Sequence, residues 1–366
     1  MTLYILLSLW VFVLMIIGLR PDAESVIFFD PEHKPSSIAI SNMKICSALA
    51  SITLIFLWVL TAFRSSNIGN DTATYIYYFN IFSTSGVTSS RTFELGYQFL
   101  NVLIGKFTSD PHVFLIIMAS IMYLGITIYI KKYAKNILVS LCLFFCCFFS
   151  IYTSIFRQGI AMIIVLFAYQ CIKENKRWIG LVLILLATSF HSTAIIALLL
   201  LVRSKWIVDK RTVIIAAVVG FAISQTNILS TVITIVLPRY ANYFTSRYAA
   251  SGWMAVTYDL IRSCIFFWLI SRVCKTDNKE DHLRLVNFAL LIIFSTFGYS
   301  MNLFTRAGEY FLLIGVTELP NALYEKQLKY KRMWLFGICF VSIVWFIVVL
   351  FLRPDWNHLY PYEFWS

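Results

Sequence analysis

Residues 178–201 read WIGLVLILLATSFHSTAIIALLLL. The stretch is long and apolar enough for a membrane helix, since about 20 such residues cross a hydrocarbon core of ~30 Å. Basic clusters nevertheless stand at both ends. Lys173, Lys176 and Arg177 precede it, and Arg203, Lys205, Lys210 and Arg211 follow. Cytoplasmic loops of membrane proteins concentrate Lys and Arg, so a straight helix would put one cluster on the wrong side. The middle of the stretch, Ala187-Thr188-Ser189-Phe190-His191-Ser192-Thr193, is mostly polar. The pattern predicts two half-helices that enter, turn at His191 and return, because non-helical backbone at membrane depth is tolerated where it lines a cavity. The alternative keeps 178–202 continuous and breaks the next helix at Ser224-Gln225-Thr226-Asn227, leaving four basic residues outside.

The rest of the chain agrees with a membrane solvent. Of 366 residues, 60% are hydrophobic and 13% charged, where soluble domains carry about a quarter charged. Further apolar blocks cover 45–63, 113–130, 213–237 and 334–352. None shows strict two-residue alternation, which argues against a lipid-facing β-barrel. The first block, 3–19, lacks a positive n-region and a small-residue cleavage site, so it reads as a retained helix and not a signal peptide. The net charge of +12 sits in short loops and implies topology, not nucleic acid. The eight cysteines lie in or beside apolar segments. Cys142, Cys146 and Cys147 lack zinc or redox spacing and read as packing residues, with no disulfide expected.

Six basic groups gather 21 of the 30 Lys and Arg residues. Placing them all inside predicts an all-α polytopic protein with both termini outside. It has about ten spans plus the re-entrant pair, in a single integral membrane domain over 1–366. The exterior segments are then 64–110, 152–157, 238–257, 302–306 and 353–366.

Polar chemistry collects in those segments. In Asp71-Thr72-Ala73-Thr74-Tyr75-Ile76-Tyr77-Tyr78, a helix puts Asp71, Tyr75 and Tyr78 on one face. Tyrosine rings suit the apolar face of a sugar and a carboxylate suits its hydroxyls. Asp71 is equally placed to be an N-cap. Glu94 opens a short apolar helix that is too short to span. Arg157-Gln158 stands where one helix leaves and the next re-enters, so Arg157 either binds an anion or snorkels as an anchor. Arg306 with Glu309, and Asp259 with Arg262, read either as site residues or as local pairs. Around Pro238-Arg239-Tyr240 the stripes Tyr240/Phe244/Tyr248 and Arg239/Tyr243/Arg247 form a cationic aromatic helix suited to lipid headgroups. No Gly-rich phosphate loop, zinc motif or nucleophile elbow is present.

Gly69-Asn70-Asp71 followed by tyrosines, Glu94-Leu95-Gly96-Tyr97 with Asn101, Phe156-Arg157-Gln158-Gly159, Phe190-His191-Ser192-Thr193-Ala194, the Arg306 to Tyr310 helix and Tyr360-Pro361-Tyr362 together resemble the EpsG family. Asn70 departs from a small hydroxyl residue in that pattern. The family is similar to Wzy-type polysaccharide polymerases. The resemblance implies a GT-C-like multispan glycosyltransferase of the bacterial inner membrane, with its active face periplasmic. It implies undecaprenyl-diphosphate-linked glycans as substrates and a pathway that includes a flippase and a chain-length regulator. No cofactor is assigned and metal dependence stays open, since arginines alone could neutralise the diphosphate. For such substrates two groups qualify as the base that activates the acceptor hydroxyl, Asp71 and His191; Asp71 is taken as the base, with His191 orienting the acceptor or the diphosphate. Arg157 and Arg306 face the diphosphate, Arg239 and Arg247 guide the headgroup, and Tyr75, Tyr78, Glu94 and Gln158 line the substrate. The competing readings are an O-antigen ligase and a lipid-linked oligosaccharide flippase.

Overall fold

The computed structural model describes residues 1–21, 37–87, 93–202, 204, 208–226, 228–236 and 252–365. Among them the regular structure is helical, apart from an isolated antiparallel bridge between Arg64 and Phe364. In chain order come α1 (Thr2–Gly18), α2 (Ser37–Ala62), α3 (Thr72–Ser85), α4 (Leu95–Gly105), α5 (Pro111–Tyr133), α6 (Ile137–Tyr152) and α7 (Phe156–Lys173). After the central interruption come α9 (Lys210–Ser224), α10 (Ile228–Val236), α11 (Trp253–Val273), α12 (Lys279–Phe297), α13 (Asn302–Glu325) and α14 (Lys331–Leu352). Several starts are set by side chains that accept from orphan backbone donors: Asp110 for α5, Asn136 for α6, Asp209 for α9 and Asn278 for α12. Each such cap contributes about 1 kcal/mol.

The central interruption falls where the polar run puts it. α8 (Arg177–Phe190) ends, His191 is non-helical, and a 3₁₀ helix (Ser192–Leu201) follows. The guanidinium of Arg177 donates to the Leu201 carbonyl at 3.0 Å, so the chain returns to where it started. Fourteen α-helical residues and ten 3₁₀ residues each rise roughly 20 Å, short of a crossing. A second interruption separates α9 from α10 at Gln225 and Thr226, with Asn227 outside the described residues. The two breaks that the sequence poses as alternatives both occur, and the apolar block 213–237 is divided.

Among the described residues five helices are long and apolar enough to cross a membrane: Ser41–Ala62 of α2, α5, α7, α11 and α14. Several helices leave large apolar side chains outward. Leu124 and Ile128 on α5, and Ile214, Ile215 and Val218 on α9, are each more than half exposed. Water-soluble surfaces rarely carry such stripes, whereas lipid tails accept them.

Contacts divide the chain into two compact units. The first comprises residues 1–167, 185–192 and 329–366. At its centre is α6, apolar on every face, buried throughout 138–149 and packed by α1, α2 and α14. Such all-round hydrophobicity belongs to an enclosed helix, and Cys142, Cys146 and Cys147 are buried in it. The unit has two ends of different charge. At one, Asn136 donates to the Gly18 carbonyl beside Lys131, Lys132 and Lys135. At the other, the loop after α2, the α6–α7 junction and the chain after α14 meet. There the Asn70 N–H donates to Ser154 Oγ at 3.1 Å, and the Tyr4 hydroxyl donates to the Leu359 carbonyl at 2.7 Å. Three of the segments assigned outside by charge are thus brought together.

The second unit comprises 168–184 and 193–328. Its central helix is α12, buried throughout 281–292 and packed by α9, α11 and α13.

Candidate active site

The site in the first unit begins with two close approaches that only glycine permits. Gly69 has φ +83°, and a Cβ there would run into the Thr153 carbonyl. This turn ends at Asp71, the N-cap position of α3. Unlike the capping residues above, Asp71 makes no side-chain cap bond. Its half-buried carboxylate is uncommitted to its own helix, and the N-cap reading covers its place but not its bonding. Gly96, in the first turn of α4, lies against the backbone of Ser189, where a Cβ would come within 2.7 Å of the carbonyl oxygen. That approach carries Glu94, the N-cap residue of α4, to the tip of the re-entrant hairpin.

Glu94 is the hub of the cluster. Its Oε2 accepts from Arg157 Nη1 at 2.7 Å, and its Oε1 accepts from the backbone N–H of Ser192 at 2.9 Å. Oε1 also lies 3.6 Å from His191 Nδ1. Partial burial would raise the carboxyl's pKa, but Arg157, the Ser192 N–H and His191 outweigh that and hold it below the usual carboxylate range. Glu94 is therefore ionised and fully engaged as an acceptor, a poor candidate for moving protons.

Arg157 stacks its guanidinium over the Phe93 ring at 4.3 Å and has the Tyr75 hydroxyl as a further partner. Its Nε is buried with no hydrogen-bond partner among the described residues. A snorkelling anchor would reach for water. This side chain is 22% exposed and spends its guanidinium on Glu94 and aromatic rings, with its Nε covered. The Arg157 guanidinium also lies 5.9 Å from the centre of the Tyr97 ring.

The aromatic face differs in part from the reading along one helix. Tyr75 is buried between Tyr97 and Phe156, at ring distances of 5.8 and 5.4 Å. Tyr78 is half-exposed, edge-on to Phe93 at 4.4 Å, and Tyr77 is exposed. Tyr77 and Tyr78 are the accessible rings, while Tyr75 is covered and partners Arg157. Gln158 is buried beneath the cluster.

Arg64 escapes notice in the sequence. Its guanidinium is fully buried and donates to the carbonyls of Thr61 and Ile68 and to the Thr72 hydroxyl, with the Phe156 ring 4.7 Å away. Burial pushes its pKa down to about 10, against the pull of neighbouring tyrosines, and it stays charged at neutral pH.

Arg306 lies near the start of α13 in the second unit, half-buried. Arg262 pairs with Asp259 at 2.7 Å, as the local reading has it. Arg239 and Arg247 lie outside the described residues. Among the described residues no group of three or more His, Cys, Asp or Glu side chains is placed to hold a metal ion.

The model of the EpsG family matches residues 47–364. The chain belongs to the EpsG family. Its members are Wzy-like, polysaccharide-polymerase-related membrane proteins, and this one is a polysaccharide-polymerase-like membrane protein of that group. No curated protein and no solved structure matches the chain. The glycines, Glu94, Arg157 and His191 of the cluster all fall inside the matched range.

This EpsG-family chain holds a second ionic cluster, in the other unit. Arg284 is almost fully buried on α12 and bonds Glu318 and Glu325 at 2.7 Å each and Glu280 at 2.6 Å, with Asp281 at 3.5 Å. Lys173 reaches Glu280 at 2.8 Å and Glu318 at 3.0 Å, and Lys326 reaches Asp281 at 2.9 Å. Here the loop-charge reading needs correction. Arg284 is an interior residue and not a loop cation, because buried carboxylates replace the water it would otherwise need. The signal in the sequence is Glu318, a carboxylate in the middle of an apolar helix.

Proposed function

We propose that this EpsG-family protein joins undecaprenyl-diphosphate-linked oligosaccharide repeat units into a surface polysaccharide, at the periplasmic side of the bacterial inner membrane. The observation that carries the reading is Arg157: a partly buried guanidinium, anchored on one side by Glu94, whose covered Nε has no hydrogen-bond partner among the described residues. An anionic oxygen of a ligand is the partner such a donor lacks. A guanidinium also stays charged in low dielectric and can grip phosphate through two parallel bonds.

In the reaction the acceptor sugar's hydroxyl oxygen bonds to the anomeric carbon of the donor, and the carbon–oxygen bond to the lipid diphosphate breaks. The hydroxyl proton passes to Asp71, the carboxylate left free to take it. A positioned base of this kind contributes roughly 10²–10⁴ in rate. The diphosphate leaves with its charge against Arg157; Arg306 is a separate candidate for an anionic group. Arg239 and Arg247 steer the headgroup. Glu94 fixes Arg157 and the Ser192 turn, and His191 orients the acceptor or the diphosphate. Tyr77 and Tyr78 offer stacking surfaces to sugar.

The test is purified protein in lipid with the lipid-linked repeat unit, scored by a product ladder. Arg157→Lys and Asp71→Asn are expected to abolish the ladder while inserting normally. Near-normal ladders from both variants would sink this assignment. Transfer of one unit to a different lipid acceptor would favour the ligase, and transbilayer movement without new bonds the flippase.

A further inference from the structure

The chain beyond α14 folds back on the turn that carries Asp71. Two backbone bonds, Trp365 N–H to the Phe63 carbonyl at 2.8 Å and Ser65 N–H to the Glu363 carbonyl at 2.9 Å, flank the Arg64–Phe364 bridge. The Gly69 N–H donates to the His358 carbonyl at 3.3 Å, and the Asn70 amide donates to the Trp356 carbonyl at 2.6 Å. Asn70, the departure from the family pattern, is thereby used as a link to the tail.

Two anchors secure the tail itself. The Tyr362 hydroxyl donates to the Leu60 carbonyl at 2.8 Å, and the Trp365 ring stacks on His112 at 5.0 Å with the planes 2° apart. Residues 64–71 form no helix, so their backbone donors need other partners; the tail takes those of Ser65 and Gly69, while Asn67 and Ile68 bond back to Ser65 and Asn70 bonds Ser154. From the inner side Arg64 ties the same turn, through Ile68 and Thr72, to the Phe156 ring next to Arg157.

We propose that residues 354–365, together with Arg64, are a positioning clasp that holds the Asp71 turn against the start of α7, so that base and guanidinium keep their spacing. The clasp rests on the reading of Asp71 as the base. It acts through that residue and is not itself catalytic.

Two measurements test it. The first uses Asp71→Cys with Cys46, Cys171 and Cys264 replaced by Ser, labelled by a membrane-impermeant thiol reagent. Adding Tyr362→Phe and Trp365→Ala should raise the labelling rate at least tenfold. An unchanged rate overturns the clasp, whatever happens to polymer. The second uses the chain with Asp71 intact. The same tail substitutions should lower kcat at least tenfold and change KM for the lipid-linked unit less than threefold. Adding Ser65→Cys and Glu363→Cys should restore kcat to within threefold of the parent when oxidised, and lose it again on reduction. These positions face each other on antiparallel backbone, where Cα atoms stand about 5.5 Å apart, within disulfide reach. Loss of activity that the disulfide does not restore would mean general damage and overturns the clasp. A parent that makes no polymer, while labelling of the Asp71→Cys chain still responds to the tail substitutions, would leave the clasp standing and remove the polymerase reading.

Discussion

Among the described residues two ionic clusters are built in opposite ways. In the second unit, Lys173, Arg284 and Lys326 face Glu280, Asp281, Glu318 and Glu325, and Arg284 alone is ringed by all four carboxylates. In the first unit, Arg157 has Glu94, a tyrosine and an aromatic face, and keeps a buried donor without a partner. A closed network offers a ligand nothing, because every strong partner is already inside the protein. An open one leaves part of the desolvation penalty unanswered until an anion arrives. Charge inside a membrane protein thus marks a site only when its bonding is incomplete.

That contrast breaks most visibly at Arg284. Removing one member of a buried ionic network strands the others and costs about 3–5 kcal/mol. Arg284→Met should therefore leave little folded protein, read by thermal unfolding in detergent and by yield. A variant with parental stability would show that the network is not closed.

Glu94→Gln should do the reverse. The amide still accepts from Ser192, so the fold should persist, while Arg157 and His191 lose their charged partner. Polymer formation should fall about 100-fold, roughly 2.7 kcal/mol of barrier, with a fall in melting temperature at neutral pH that is measurable but much smaller than for Arg284→Met. Unfolding comparable to Arg284→Met would make this cluster structural too. Its pH behaviour follows from the lowered carboxyl. Whatever stability the ionised group contributes is fully present above the ordinary glutamate value of about 4.3. It is lost only as the pH falls through the lower folded value. The melting-temperature difference between parent and Glu94→Gln should hold steady from neutral pH to about 4.3 and shrink below it.

Gly96→Ala sharpens the comparison by moving the hub without changing any charge. An added methyl against the Ser189 carbonyl forces α4 away from the hairpin tip, and such overpacking costs about 1–3 kcal/mol. We expect about a tenfold loss of polymer (~1.4 kcal/mol), measured by the rate of ladder growth.

Lys326→Met is the smallest change. Its bond to Asp281 raises the lysine above its ordinary value, but the side chain is about a third exposed, and such pairs contribute at most about 1 kcal/mol. Because the folded value is raised, that contribution is present below the ordinary lysine value of about 10.4 and disappears as the pH rises through the folded one. Melting curves of parent and variant should converge only in strong alkali.

How much of this is legible in the sequence varies with the reach of the signal. The break at His191 is legible because hydrocarbon excludes a run such as Thr188-Ser189 and Ser192-Thr193 unless the helix stops there. The second break, at Gln225 and Thr226, carries the same kind of signal, but charge bias asks for only one. Gly69 and Gly96 are visible as motif positions, but their purpose is not, since Thr153 and Ser189 are distant along the chain. Glu94 is visible as a candidate, the carboxylate that opens a short apolar helix. Its pairing with Arg157 is not, and neither is the stacking of Trp365 on His112.

By itself the sequence determined the solvent, the helical class, the re-entrant break and the family, because hydrophobic length, loop charge and short motifs are local properties that survive reading along one chain. Only the tertiary structure decided which charges are closed and which are open. Arg284 and Arg157 look alike as letters among apolar neighbours. What separates them is the set of oxygens that folding brings within hydrogen-bonding distance, and those come from residues far away in sequence.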